Sequence, residues 1–267
     1  MILRDIIERY RREVLPTFAA RTQRDCHRML DFLNRELGDK DADAVQPRDI
    51  GRLLDVPTGK IQRNRIVSVL SAIYSKAVGR WFVADRNPCS KVERNPSKPR
   101  TRYVTDAEFM LVYERAPERM QIAMLLAYLT SQRQGDIVSM KWSQITEHGI
   151  EIQQGKTGKR FRIAVSRDLL NILRRAQRLQ PYGEHVISTS FGKGYTPEGF
   201  RALWQRVITG CMKDRLLVEN FHFHDLRAKS VSDNKDLKAA SELAGHQNMA
   251  ITRGVYDRGV RTVQPLQ

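Results

Sequence analysis

Cysteine is scarce in this chain of 267 residues. Only Cys26, Cys89 and Cys211 occur, far apart and odd in number. That argues against a disulfide framework, offers no CxxC metal spacing, and suits reduced thiols in the cytosol. Long apolar runs are lacking too. The most apolar stretch, Met120 to Thr130, is far too short to cross a bilayer. The opening MILRDIIERYRREVL reads as an amphipathic helix without the apolar core of a secretory signal. There is no internal repeat, no low-complexity region and no carboxylate cluster suggesting a metal site. The expectation is a cytoplasmic protein with no cofactor, no metal and no membrane partner.

What the chain has in excess is positive charge. Lys and Arg number 46 against 30 Asp and Glu, giving +16 and a pI near 10.1. Residues 1–103 carry 22 basic and 13 acidic side chains and the remainder 24 and 17, so the two parts stand at +9 and +7. This is not a basic tail on a neutral body. A charge that large opposes compaction and favours polyanionic partners. Ribosomal proteins, nucleases and membrane-surface proteins share it, but charge and length together favour nucleic acid. The apolar fraction of 41% is ordinary and allows a sizeable core.

The first hundred residues read as helical. Residues 2–15 and 19–37 carry apolar positions three and four apart; Met29, Leu30, Leu33 and Leu37 form the second stripe, with Gly38 as C-cap. Pro47 opens a short helix through Leu54. Thr58 can cap a long fourth helix with Ile66, Val69, Leu70, Ile73 and Ala77 on one face. Arg63, Arg65 and Lys76 lie off that stripe, as a solvated face or as phosphate contacts. Between Arg86 and Arg102 the pattern collapses around Pro88, Pro96 and Pro99, with Lys91, Arg94, Lys98 and Arg100 alongside. Proline removes backbone donors and extends the residue before it, so this reads as a basic linker. The expected organisation is a helical unit over 1–90, a linker over 91–103 and a second domain over 104–267.

That second domain mixes elements. Helices are expected at 105–116, 118–130, 167–179, 197–209, 225–232 and 235–244. GIEIQQGKTGKRFRIAV reads as a β-hairpin, with Ile150 and Ile152 on one arm, Phe161, Ile163 and Val165 on the other, and Gly155 and Gly158 at the turn. The fold class is therefore mainly α with a small β-sheet.

Of six histidines, His222, His224 and His246 fall in the last 46 residues. In FHFHDLR, His224 and Arg227 are three apart at a helix start, so both can face one point, and Asp225 sits where a carboxylate complements the helix dipole. ELAGHQN puts His246 just after a glycine, where the chain can turn sharply. Tyr256 follows on a short polar stretch.

The segments LTSQRQGDIVSMKWSQI, QQGKTGKRFRIAV, FHDLRAKS, LAGHQN and VYDRG occur in the order typical of tyrosine recombinases of the phage-integrase type, and the chain resembles that family over nearly its whole length. The stretch NRIVSVLSAIYSKAVGRWFVADRNP is similar to the family's helical core-binding domain. Singly each motif is weak; five in order within a basic two-domain chain are strong. The resemblance implies a helical core-binding domain plus an α+β catalytic domain. Position by position it assigns Arg133 to the first family arginine, Asp136 to a bracing acid, Lys156 to the hairpin lysine, His224 and Arg227 to the HxxR pair, His246 to the second histidine position and Tyr256 to the nucleophile. Lys159 shares the turn and is the rival for the lysine role. A surface salt bridge to Asp136 is the structural alternative for Arg133, and core packing is that for Tyr256; Tyr195 lacks the upstream glycine–histidine signature. Departures are visible. Ser131 and Gln132 stand where glycine and leucine are usual, Ala228 and Lys229 replace a commoner polar pair, and ten positions separate His246 from Tyr256, one more than is common. An extra residue near Gly254 is expected to be absorbed in a loop.

The implied reaction follows from these residue types. Two guanidiniums can bind non-bridging phosphate oxygens, a lysine can protonate the departing 5′ oxygen, a histidine can take the phenolic proton or bond the phosphate, and the tyrosine can form a 3′-phosphotyrosyl ester. Arginine and lysine then stand where a divalent metal would serve. The resemblance further implies double-stranded DNA as partner, a C-shaped clamp, a homotetramer on paired sites exchanging strands through a Holliday junction, and accessory DNA-bending proteins as further candidates. Val260, Val263 and Leu266 could dock the tail in a neighbouring protomer, the alternative being a frayed end. The chain is expected to lack an N-terminal arm-binding domain of the kind some integrases carry. The rival readings are a type IB topoisomerase-like enzyme and an inactive DNA-binding protein of the same fold.

Overall fold

A computed structural model describes residues 1–55, 59–98 and 100–259. The capping role read for Thr58, and the tail residues Val260, Val263 and Leu266, lie outside them. The chain divides into two compact units, residues 1–98 and 99–267.

The first unit is helical. Helices α1 (Leu3–Glu13), α2 (Ala20–Leu37), α3 (Pro47–Leu54) and α4 (Lys60–Gly79) follow the apolar spacing of the sequence. Their stripes meet in one core that includes Ile7, Leu30, Leu33, Ile50, Leu70 and Ile73. The buried face of α4 is wider than its stripe, since Val67 and Tyr74 are fully buried as well. Burying Tyr74 requires a partner for its hydroxyl, and it donates to the Ala42 carbonyl at 2.9 Å. Asn87 bonds the Ser71 carbonyl, and Asn64 and Asn95 exchange two hydrogen bonds, so the proline-containing stretch is strapped along α4 as far as Asn95. Gly59, in the left-handed region at φ 71°, occupies the N-cap of α4.

The second unit is built around α6 (Glu118–Thr130). Its residues Met120, Ile122, Ala123, Met124, Leu126 and Ala127 are buried, while Gln121, Leu125 and Tyr128 on the remaining face are half-buried. It packs against α8 (Arg167–Leu179) and α10 (Asp225–Asp233). Helix α5 (Asp106–Arg115) opens on a capping box between Thr105 and Glu108 and packs on α9 (Pro197–Lys213), which runs four residues past its expected end. The expected hairpin forms from β2 (Gly149–Gln153) and β3 (Arg160–Ile163), with Ile150 opposite Ile163 and Ile152 opposite Phe161. A two-residue strand, β1 (Ile145–Thr146), adds a third member, in the order β1-β2-β3. Two short helices were not legible beforehand: α7 (Gln134–Val138), directly after Arg133, and α12 (Met249–Ile251). Helix α11 (Leu237–Ala244) lies between α10 and α12. Among the described residues no helix is long and apolar enough to cross a membrane.

Lys229, one of the departures from the family pattern, has a structural explanation. It is 2% exposed and buried among α5, α6 and α10. Burial opposes its charge, but hydrogen bonds to Asp106 and Asp233 outweigh that and raise the ammonium's pKa. The rings of Tyr103 and Tyr128 cover it at 5.1 and 5.6 Å. Lys229→Met would leave Asp233 and the Tyr103 hydroxyl without their cation. It should destabilise the fold by about 2 kcal/mol, below the range for losing one partner of a fully buried pair because Asp106 is exposed. Urea unfolding measures this, and an unchanged midpoint would contradict it.

Candidate active site

Three backbone devices bring the site together. The first is the turn after α6. Ser131 caps that helix in the left-handed region at φ 57°, which costs a non-glycine residue about 1 kcal/mol. The chain then reverses so that Arg133 stands at the N-cap of α7. Ser131 is buried and its Oγ donates to Ser230 Oγ at 2.9 Å, an anchor that glycine would lack. The second device is the alternation FHFH. Phe221 and Phe223 turn into the core, edge-on to Trp204 at 5.5 and 5.3 Å, while His222 and His224 turn outward. The third is the end of α11. Gly245 at φ 66° bonds back to Glu242, and the His246 N–H reaches the Ser241 carbonyl, a glycine cap that delivers His246 straight out of the helix.

The extra residue between His246 and Tyr256 does not form the expected loop. It is taken up as a π-helical turn, Thr252–Tyr256, which contains Gly254. A π turn accommodates one more residue than an α turn, which gives a surplus residue a place within a helical segment. The ring of Tyr256 settles on Ala228, Val231, Ala240 and Ala244 and is 9% exposed.

Five of the six residues singled out converge. The Tyr256 hydroxyl lies 3.0 Å from His224 Nε2. The His246 ring centroid is 4.6 Å from that of Tyr256, and the Arg227 guanidinium lies 5.2 Å from the same ring. Arg227 is 1% exposed and held by two backbone carbonyls: Nη1 donates to Ser131 at 2.6 Å and Nη2 to Ala244 at 2.7 Å. Its buried Nε has no partner among the described residues. Arg133 is half-buried and donates to Gln154 Oε1 at 2.7 Å. It forms no salt bridge with Asp136, whose Oδ1 accepts the Gly155 N–H at 2.9 Å and so braces the hairpin turn.

The sixth, Lys156, stands apart. It is exposed at the hairpin turn, with no side-chain partner among the described residues. Lys159 is drawn in, its Nζ donating to the His246 carbonyl at 3.3 Å. Tyr195 is distant in kind, stacked edge-on to Phe200 in the core.

Electrostatics set the character of the pocket. Neither guanidinium meets a carboxylate among the described residues. Burial and the like charge of Arg133 lower Arg227 to about 10, so it remains charged at neutral pH. Loss of hydration and the charge of Arg227 push His224 down to about 4, and burial with Arg227 and Arg133 does the same to His246. His224 keeps an exposed edge, so for it the neighbouring guanidinium is the firmer cause. Both imidazoles are therefore neutral in the free protein. Thr252 Oγ1 donates to Ser241 and accepts from His246 Nδ1 at 2.7 Å, which leaves Nε2 of His246 as a buried lone pair without a partner.

Further contacts complete the site. Asp225 is buried and pairs with Arg258 at 2.6 Å and Arg100 at 3.2 Å, while Arg258 also reaches the Arg102 carbonyl. This holds the chain two residues past Tyr256 against the start of α10. Gln154, which lies within the QQGKTGKRFRIAV segment, and Thr252, which lies outside the motifs, are neutral residues whose contacts are visible only once the fold places them. Among the described residues no group of three His, Cys, Asp or Glu could hold a metal ion.

A histidine whose folded pKa is depressed leaves the unfolded chain binding more protons, so stability is present above about 6.5 and lost as pH falls towards about 4. Thermal unfolding followed from pH 7 to 4.5 should show a shallower acid decline for His246→Asn than for the parent. Superimposable declines would contradict it.

The sequence profile of the phage integrase family matches residues 105–259. The integrase of Escherichia phage HK022 is 31% identical over 148 residues, covering 52% of this chain and 41% of that protein. The shufflon-specific DNA recombinase of Escherichia coli is 27% identical over 194 residues, covering 68% of this chain and 47% of its own length. The chain thus spans less than half of either curated relative. Among solved structures, a lambda integrase dimer bound to a COC′ core site superposes with a TM-score of 0.84 at 22% identity, covering 100% of this chain and 99% of that one. A lambda integrase tetramer bound to a Holliday junction gives 0.85, also at 22% identity, with 100% and 80% covered. At that identity the superpositions establish the fold: mainly α with a small three-stranded sheet. With more than half of its residues matched by the family profile, the chain belongs to the phage integrase family.

Proposed function

We propose that this chain is a site-specific recombinase that breaks and rejoins double-stranded DNA through a 3′-phosphotyrosyl bond to Tyr256. The observation that carries the reading is the Tyr256 hydroxyl, 3.0 Å from a neutral imidazole and beside a guanidinium that no carboxylate neutralises.

In the reaction the Tyr256 oxygen attacks phosphorus as its proton passes to His224 Nε2. The P–O5′ bond breaks, and the 5′ oxygen takes a proton from Lys156. Exposed and uncommitted at the hairpin turn, Lys156 is free to reach that oxygen, whereas Lys159 is engaged with the His246 carbonyl. Arg133 and Arg227 take the non-bridging oxygens, where their charge matches what builds up in the transition state. The phosphate's own negative charge opposes the guanidinium field on His246, so that Nε2 can take up a proton and donate to the phosphate. The ester keeps the energy of the broken bond, and a 5′ hydroxyl of another strand reverses each transfer without ATP.

The first unit, as core-binding domain, offers phosphate contacts. Arg35 and Arg63 lie over Phe32 at 5.3 and 4.7 Å, and Arg28 lines the same concave surface. We assign residues 1–90 to this domain, 91–103 to a basic linker and 104–267 to the catalytic domain. By analogy with the lambda integrase tetramer on a Holliday junction, four copies would act on two paired sites, with DNA-bending proteins as accessories.

The test uses a pool of nicked duplexes with randomised sequence, from which covalent protein–DNA complexes are recovered under denaturing conditions and sequenced. The parent chain should yield adducts joined through a 3′ phosphate at a common sequence, and Tyr256→Phe should yield none. Adducts that persist in Tyr256→Phe, or a parent that forms none, would overturn the proposal. Adducts without sequence preference, together with relaxation of supercoiled plasmid, would instead indicate a topoisomerase.

A further inference from the structure

We propose that Gln154 is the positioning residue of the site: it fixes Arg133, the hairpin turn and the His246 turn in one arrangement, without cancelling the positive charge of the pocket. The inference rests on the reading of Arg133 as a phosphate-binding group.

Gln154 is the last residue before the hairpin turn and is fully buried. Its amide makes four side-chain bonds. Nε2 donates to Gln132 Oε1 at 2.9 Å and to the Ala244 carbonyl at 2.8 Å. Oε1 accepts from Arg133 Nη1 at 2.7 Å and from Thr157 Oγ1 at 2.9 Å. The four partners also fix its orientation. Turned over, the amide would set a donor against a guanidinium and an oxygen against two acceptors. Those partners lie on the Arg133 turn, on the hairpin turn that carries Lys156, and at the end of α11 immediately before His246.

Two details show how tightly this junction is drawn. A Cβ at Gly245 would stand 2.6 Å from Gln154 Nε2, so that glycine serves the close approach of Gln154 as well as its own φ of 66°. The Ala244 carbonyl that accepts from Gln154 also accepts from Arg227 Nη2, so the two guanidiniums are registered to each other through one peptide group and one amide.

The chemical identity matters as much as the geometry. Gln154 is the acceptor that Arg133 has among the described side chains, and it is neutral. A glutamate there would hold the guanidinium equally well but neutralise it, and would offer no donors to Gln132 and Ala244. A glutamine supplies two donors and two acceptor sites with no charge, and so leaves Arg133 available for an anion.

The experiment compares Gln154→Met, close in volume and without hydrogen bonds, with the parent on a nicked duplex that the parent cleaves. Single-turnover cleavage at saturating DNA should fall by about 10²-fold, the scale of a loss in positioning. The dissociation constant for the same DNA should stay within threefold. In an Arg133→Lys background, which has no guanidinium to place, the same substitution should cost less than threefold. An unchanged rate, or equal losses in both backgrounds, would overturn the inference. If Gln154→Met does not fold, Gln154→Asn carries the test, because it keeps a polar amide in the buried site while drawing its oxygen back from Arg133. A parent that forms no covalent adduct would count against the function proposed above; a parent that cleaves normally beside an unaffected Gln154 variant would count against this inference alone.

Discussion

Two guanidiniums share one pocket without a carboxylate between them, and the polar groups around them are arranged so that this charge stays in place. Arg227 is almost wholly buried, and its pKa falls to about 10 under burial and the field of Arg133. Its bonds go to the carbonyls of Ser131 and Ala244, and those of Arg133 to an amide. Neutral acceptors satisfy hydrogen-bonding geometry and leave the charge in place. Desolvated charge of that kind is costly until an anion supplies the balance. The nearby acids are turned elsewhere: Asp225 to Arg258 and Arg100, Asp136 to the Gly155 amide. Burial and the same field keep both histidines unprotonated at neutral pH, ready to accept a proton.

The departures from the family pattern are accommodated by specific local solutions. Ser131 takes a glycine-like conformation and gains an anchor on Ser230. Gln132, in place of an apolar residue, is buried and donates to the Thr130 and Leu243 carbonyls while accepting from Gln154. Lys229 becomes the centre of a buried ionic and aromatic cluster. The surplus residue before Tyr256 becomes a π turn that sets the phenol beside His224. At Ser131, Gln132 and Lys229 the substituted polar atoms acquire partners, as burial requires.

Legibility in the sequence followed the range of the interactions. The helices of the first unit, the hairpin and the apolar helix α6 were readable because periodicity is a local signal. The motif residues Arg133, His224, Arg227, His246 and Tyr256 were readable through their order along the chain. Helix α7, only five residues long, carries too little periodicity to be seen. The π turn was hidden because a count of residues shows that one is surplus, not how the backbone absorbs it. Gln154 and Thr252 were illegible for a different reason. Their partners lie on several segments, up to 90 positions away for Gln154 and Ala244, and a neutral polar residue announces nothing until those segments meet. The choice between Lys156 and Lys159 likewise turns on side-chain placement, where one lysine is engaged with His246 and the other is not.

The central claim is that the guanidiniums act on the charge of a phosphodiester, and a neutral scissile group tests it most directly. Single-turnover cleavage by the parent and by Arg133→Ala can be compared on duplexes with an ordinary phosphate or a methylphosphonate at the cleavage position. The methylphosphonate lacks the negative charge that a guanidinium would neutralise, so the penalty of Arg133→Ala should shrink at least tenfold on it, a difference of roughly 1.4 kcal/mol. A penalty of equal size on both substrates would contradict the account.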